Sequence, residues 1–174
     1  MPLMRNRLVA LVFGLFLAHL ASAQSIGTRI PSFPTPARQV SMLQEAGKRV
    51  VLAIKRGDTR TLSSIVDDSG ITLGTDNPPI SASAFRRELR EKRGAYCDLL
   101  GCGHNVSALR VLLSRTPNNF VRTSLSKDFP NTGQADVVGG TTGSDSTGAQ
   151  RSPLFTLFFI LRGDEWRLQQ IEYI

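Results

Sequence analysis

The spacing of apolar residues changes partway along this chain. Between Arg38 and Ala95 they recur every three or four positions, the period of an amphipathic helix. From Val106 onward they recur every second position, the period of a strand. Because the two patterns are segregated along the chain, the sequence predicts an α+β fold. Its helices would pack on one face of a curved antiparallel sheet.

Three N-terminal helices are predicted, separated by two breaks. Gly57 and Asp58 form the first break, because glycine is favoured just after a helix and aspartate just before one. The run Asn77-Pro78-Pro79 forms the second, since proline cannot donate the backbone hydrogen bond that a helix needs. The predicted helices are Arg38–Arg56, Thr59–Val66 and Ala82–Ala95.

About four to five strands are predicted for the sheet. Leu154–Leu161 is apolar at every position but one, which is typical of a central strand covered on both faces. Gly139–Ser152 is rich in Gly, Ser and Thr, and it is predicted to be a mobile loop. The other predicted strands of the sheet are Val106–Arg115, Phe120–Lys127, Asp136–Gly139 and Trp166–Ile174, and Ile71–Leu73 is predicted to be a further short strand between the second and third helices.

The first 23 residues have the features of a bacterial signal peptide. Arg5 and Arg7 precede an apolar run, Leu8–Leu20, that is too short to cross a hydrocarbon core of about 30 Å. Ala21-Ser22-Ala23 follows with the small side chains of a cleavage site. We therefore expect cleavage after Ala23 and a periplasmic or secreted protein.

The expected mature chain contains one domain. Removing Arg5 and Arg7 with the signal peptide lowers the formal net charge from +7 to +5. The expected divisions are a signal peptide at 1–23, a proline-rich leader at 24–38 and a single α+β domain at 39–174.

Only two cysteines, Cys97 and Cys102, are present. Because exported proteins meet an oxidising environment, we expect these two to form a disulfide. A zinc site made by both thiolates and His104 is the alternative, but oxidation of the thiols would remove its ligands. No metal and no cofactor are therefore expected.

The segment Arg86–Arg93 carries most of the positive charge of the third predicted helix. We expect weak contact with an anionic surface through Arg86, Arg87 and Arg90. Glu88 and Glu91 neutralise part of this charge, and no aromatic residues are interleaved for base stacking. Nucleic acid is therefore not an expected partner.

Two segments resemble the nuclear-transport-factor-2-like superfamily. They are the helix pair Ala53–Val66 (AIKRGDTRTLSSIV) and the closing hairpin Phe158–Ile171 (FFILRGDEWRLQQI), and the resemblance covers about residues 39–174. It implies a cone-shaped α+β domain whose sheet curls around a pocket, with chains that pair through the sheet. The catalytic positions of the family's isomerases and dehydratases have no residue-by-residue match here. The resemblance therefore implies a fold and a pocket, and the family's catalysis is not carried over to this chain.

The function expected from these observations is non-enzymatic binding of a small apolar ligand or a protein partner. Candidate ligand-binding residues are Trp166, Tyr96 and Arg122, with Trp166 near one end of the helix-facing side of the sheet. The alternative is an isomerase-, cyclase- or dehydratase-type enzyme with an acid–base pair in the pocket. Its candidate groups are Asp67, Asp68, His104 and Glu172, with Tyr96 or Tyr173 as hydrogen-bond donors.

Overall fold

The computed structural model describes residues 34–115, 119–139 and 152–173. The predicted signal peptide, most of the proline-rich leader and nearly all of the predicted mobile loop lie outside these residues. The described part contains five helices and five strands. The α+β class is therefore confirmed, whereas the predicted count of three helices is wrong.

The first two helices follow the predicted break. Helix α1, Pro36–Arg56, ends at Gly57, whose positive φ of 68° suits glycine. Helix α2, Thr59–Ile65, begins after Asp58, whose carboxylate accepts a hydrogen bond from the Thr61 N–H at 3.1 Å. Helix α1 starts two residues before the predicted Arg38, because proline is well tolerated in the first turn of a helix.

The third predicted helix is two helices. Helix α3, Ala82–Glu91, ends at Lys92, and helix α4, Ala95–Leu100, begins after Gly94. Lys92 and Gly94 lie between the two helices, and both have positive φ values. The Glu88 carboxylate accepts a hydrogen bond from the Ala95 N–H at 2.9 Å, so α3 caps the start of α4.

The predicted strand Val106–Arg115 is wrong, because residues Ala108–Arg115 form helix α5. Ser107 precedes this helix, and its hydroxyl accepts a hydrogen bond from the Arg110 N–H at 3.2 Å. Leu109 and Leu113 are buried at a spacing of four, which is helical. In a run this short the same leucines also fit alternation, so the period alone does not separate helix from strand.

The sheet has the order β1-β5-β4-β3-β2 and is mixed. All strand pairs are antiparallel except β1 with β5, which is parallel. The prediction of a purely antiparallel sheet is therefore wrong at one edge. The strands are β1 Thr72–Leu73, β2 Asn119–Leu125, β3 Thr132–Gly139, β4 Pro153–Arg162 and β5 Glu165–Glu172.

One face of the sheet packs against helix α1. A Cβ placed on Gly47 of α1 would lie 2.8 Å from a methyl carbon of Val121 and 3.1 Å from the Cβ of Ala135. Glycine is therefore what allows the helix to approach β2 and β3 so closely. Leu157 and Leu168 face the same side and are fully buried. We call this side the helix-facing side, and the opposite side the outer face.

Candidate functional site

One row of side chains crosses the outer face of all five strands. The register pairs Thr72 with Gln170, Gln170 with Phe158, Phe158 with Gln134, and Gln134 with Ser124. These five residues alternate along their strands with the buried residues of the helix-facing side. They therefore share the outer face, and we call them the cross-strand row.

A cavity of about 720 Å³ runs along the cross-strand row and is lined by all five of its members. Its walls at the two ends are the segment 69–71 with Pro79, beside β1, and the β2–β3 turn at 126–129. We call this cavity the outer groove. The sequence favours the helix-facing side as a pocket wall, whereas this cavity lies on the opposite side of the sheet.

The outer groove is lined mainly by uncharged groups. Hydroxyl and amide side chains occupy most of its polar positions, and Phe158 lies half-buried at its centre. The exposed ring of Phe129 stands in the β2–β3 turn, with 68% of its surface accessible. Among the described lining residues, the only charged ones are Lys127 and Asp128, which are neighbours in that turn.

The glutamines of the groove retain hydrogen-bonding capacity. Gln134 Nε2 donates to Asp136 Oδ1 at 2.7 Å, which leaves its carbonyl oxygen without a protein partner among the described residues. Gln169 Nε2 lies 3.5 Å from Ser69 Oγ, and Gln170 Nε2 lies 3.5 Å from the Gly74 carbonyl, both long for hydrogen bonds. Amides at these positions can therefore both donate to and accept from a ligand.

A polar network beside the groove holds Gln134 in place. Asp136 accepts hydrogen bonds from Arg122 Nη2 at 2.9 Å, from Gln134 Nε2 and from Thr156 Oγ1 at 3.1 Å. This carboxylate therefore ties β2, β3 and β4 together on the outer face. Arg122, a candidate ligand-binding residue, is placed next to the groove, and its ion pair fixes Asp136.

The other two candidate ligand-binding residues lie on the core side. Trp166 is 5% exposed, and its indole N–H donates to the Gln39 carbonyl at 3.0 Å. Tyr96, on α4, is half-buried against the core. None of the three candidates is among the residues lining the outer groove. Strand alternation in the sequence could have assigned Ser124 to the outer face of its own strand. It does not assign Phe158, because both phases of β4 are apolar, and it carries no information on register between strands.

Cys97 and Cys102 form the expected disulfide. It joins α4 to the turn that contains His104, an exposed residue. No cluster of His, Cys, Asp and Glu that could hold a metal ion occurs in the described parts of the chain. The disulfide therefore uses the sulfur atoms of both cysteines.

The acid–base candidates Asp67 and Asp68 are engaged in ion pairs. The buried Asp67 carboxylate accepts from Arg162 Nε at 3.0 Å and Nη2 at 3.3 Å. These bonds, with those from Ser69, hold the pKa of Asp67 far below its usual range despite the opposing effect of burial. Asp68 pairs with Arg86 Nη2 at 2.9 Å. Asp67 is thus a permanently charged structural group near neutral pH.

Two groups, Asp98 on α4 and Tyr173 just after β5, have raised pKa values. Desolvation, and then the negative charge of Glu88, raises the pKa of Asp98. Burial, and then the charge of Asp98, raises the pKa of Tyr173. Glu172, the adjacent candidate, pairs across the sheet with Thr156 and is half-buried.

The arginines predicted to contact an anionic surface differ in their surroundings. Arg87 and Arg90 are exposed on α3. Arg86 is tied down by Asp68 and by the Ser63 carbonyl, to which its Nε donates at 3.2 Å. Within the described residues, no helix is long and apolar enough to cross a membrane.

No family model and no curated protein matches this sequence. Similar solved structures include a candidate dehydratase of the NTF2-like family from Streptomyces avermitilis, 17% identical, covering 79% of this chain and 96% of that one, with a TM-score of 0.42. An NTF2-like protein of unknown function from Silicibacter pomeroyi is 16% identical over 81% and 98% of the two chains, with a TM-score of 0.42. A cystatin-fold protein from Novosphingobium aromaticivorans is 16% identical over 75% and 96%, with a TM-score of 0.32.

The solved structures to which this chain is similar therefore include members of the nuclear-transport-factor-2-like superfamily, the family that its sequence resembles.

Proposed function

We propose that this chain is a non-enzymatic binding protein that holds its ligand in the outer groove. The observation that carries the proposal is the cross-strand row: five side chains from five strands line one cavity of about 720 Å³. That volume falls within the range of roughly 300–1,000 Å³ of small-molecule sites. A small ligand is therefore favoured over a flat protein contact.

The lining of the groove supports binding rather than catalysis. General acid–base catalysis requires an ionisable group held in a desolvated position beside the reacting atoms. The charged lining residues, Lys127 and Asp128, are exposed in a turn at one end of the groove. At the centre, Phe158 offers apolar surface and Gln134 and Gln170 offer neutral hydrogen-bonding groups.

Two further elements belong to the proposal. The disulfide between Cys97 and Cys102 and the signal peptide expected from the sequence support a role outside the cytoplasm. A homodimer through the sheet, as the family resemblance implies, would use the outer face. Pairing of chains and occupation of the groove would then compete.

Blocking the groove tests the proposal. The described residues hold no free cysteine, so a new thiol can be labelled selectively with a bulky maleimide. Labelled Ser124→Cys should lose the small molecules that the unmodified protein binds in a ligand-observed NMR fragment screen. The matched control is Ser64→Cys, labelled at an exposed position on α2.

Retention of the same fragments by labelled Ser124→Cys would show that the groove is not the site. The acid–base alternative would be favoured by a fragment that is chemically converted during the screen.

A further inference from the structure

We propose that the ligand of the outer groove is a neutral oligosaccharide chain lying across the strands. This inference rests on the proposed function, because it names the ligand class of the same groove. It is carried by the direction of the groove, its hydrogen-bonding groups, its aromatic rings and its charge.

The groove runs perpendicular to the strands. Neighbouring strands lie roughly 4.8 Å apart, so the row from Thr72 on β1 to Ser124 on β2 spans about 19 Å. This length accommodates a chain of several sugar rings, with successive rings over successive strands. An extended peptide would instead pair alongside an edge strand, parallel to it, because its backbone seeks the unpaired edge.

The polar groups of the row suit hydroxyl-rich ligands. A sugar hydroxyl both donates and accepts hydrogen bonds, and so do the side chains of Ser124, Gln134 and Gln170. Asp136 holds the Gln134 amide by one N–H at 2.7 Å, which presents the remaining amide atoms in a fixed orientation. A preorganised amide loses less conformational entropy when a ligand binds.

Two aromatic rings complete the site. Phe158 lies half-buried at the centre of the row, and Phe129 is largely exposed in the turn at one end. The C–H face of a pyranose ring is apolar and can stack on an aromatic face. An exposed ring next to a polar groove is explained by a ligand that is polar at its edges and apolar on its faces.

The charge of the groove argues for a neutral ligand. Lys127 and Asp128 are adjacent and of opposite sign, and the rest of the described lining is uncharged. A phosphate-bearing or otherwise anionic ligand would require unpaired cations, such as a cluster of arginines. The exposed Arg87 and Arg90 lie on α3 and are not part of the lining.

The test uses the whole protein with its disulfide intact and measures binding by isothermal titration calorimetry. The probes are neutral oligosaccharides of one to five rings, selected from a glycan array, together with an uncharged extended peptide and the apolar dye N-phenyl-1-naphthylamine. We expect oligosaccharide binding to strengthen with chain length. In Phe158→Ala it should weaken by about tenfold or more, equivalent to about 1.4 kcal/mol.

Ile160→Ala is the matched control, because Ile160 lies two residues along on the same face of β4 and is not among the lining residues. It should change affinity by less than about twofold. Gln170→Leu provides a second, independent variant in case Phe158→Ala does not fold, and it should also weaken binding.

The outcomes separate the two proposals. In one outcome, the peptide or the dye binds, Phe158→Ala loses this binding, and no oligosaccharide binds. This result would overturn the ligand class and leave the groove as a binding site. If no probe binds, the ligand class is overturned. It is also overturned if oligosaccharides bind wild type, Phe158→Ala and Gln170→Leu with equal affinity. Equal binding in those variants would also count against the groove.

Discussion

At the scale of single residues, the buried carboxylate of Asp67 has the clearest structural role. Its side chain is 3% exposed and receives two hydrogen bonds from the half-exposed Arg162 guanidinium. Because Arg162 ends β4 and Asp67 follows α2, the pair ties the helix layer to the β4–β5 hairpin. The sequence gives no sign of this partner, which is distant along the chain.

Asp67→Asn is expected to lower the free energy of unfolding by about 2 kcal/mol at pH 7, the cost of losing hydrogen bonds to a charged group. The pKa of Asp67 is depressed in the folded state, so its contribution is present above the ordinary value of about 3.9 and is lost as pH falls below it. Urea denaturation between pH 7 and pH 2 should show a steeper loss for wild type than for Asp67→Asn.

Asp68→Asn is the control, because this neighbouring side chain is 94% exposed although it is paired with Arg86. An equal loss of stability in both variants would contradict the role assigned to burial of Asp67.

At the scale of elements, alternation along β4 decides which of two adjacent phenylalanines supports the core. Phe159 is 1% exposed on the helix-facing side, whereas Phe158 is half-buried on the outer face. The sequence predicts β4 as a central strand, and it is central. A continuous apolar run does not reveal which ring faces the helices, because both phases of the alternation are apolar.

Phe159→Ala is expected to cost about 3–5 kcal/mol of stability because it leaves a cavity in the core. Phe158→Ala should cost no more than about 2 kcal/mol, since its ring is already partly in water. Thermal and chemical denaturation of the two single variants measure the difference. A larger loss for Phe158→Ala would mean that the two faces of β4 are assigned the wrong way round.

Helix α5 shows how a local cap can decide what periodicity leaves open. Ser107 is buried, its hydroxyl donates to the Leu99 carbonyl at 2.6 Å, and its oxygen accepts from the Arg110 N–H. A serine before a run of helix formers is a helix-start signal. If this start signal is ranked above the apolar spacing, the sequence favours a helix over the predicted strand.

Ser107→Ala is expected to cost about 1–2 kcal/mol, because it removes a helix cap and leaves a buried carbonyl unpaired. Ser114→Ala, in the exposed last turn of the same helix, should have almost no effect. Urea denaturation of both variants tests the cap. Equal stabilities would contradict it.

At the scale of the whole molecule, the α+β class and the disulfide follow from the sequence, but the candidate site does not. Helix and strand patterns are local, so they can be read from spacing. The outer groove depends on the register of five strands, one of which pairs in parallel from a distant position. Only the folded sheet brings Thr72, Gln170, Phe158, Gln134 and Ser124 into one row.

The most direct test of this account is amide chemical-shift mapping of the ¹⁵N-labelled protein with a saturating concentration of a bound ligand. The account predicts that the largest changes fall on Thr72, Ser124, Gln134, Phe158 and Gln170, with smaller changes in the β2–β3 turn. Changes confined to the helices and to the buried residues around Trp166 would place the site on the helix-facing side and contradict the account.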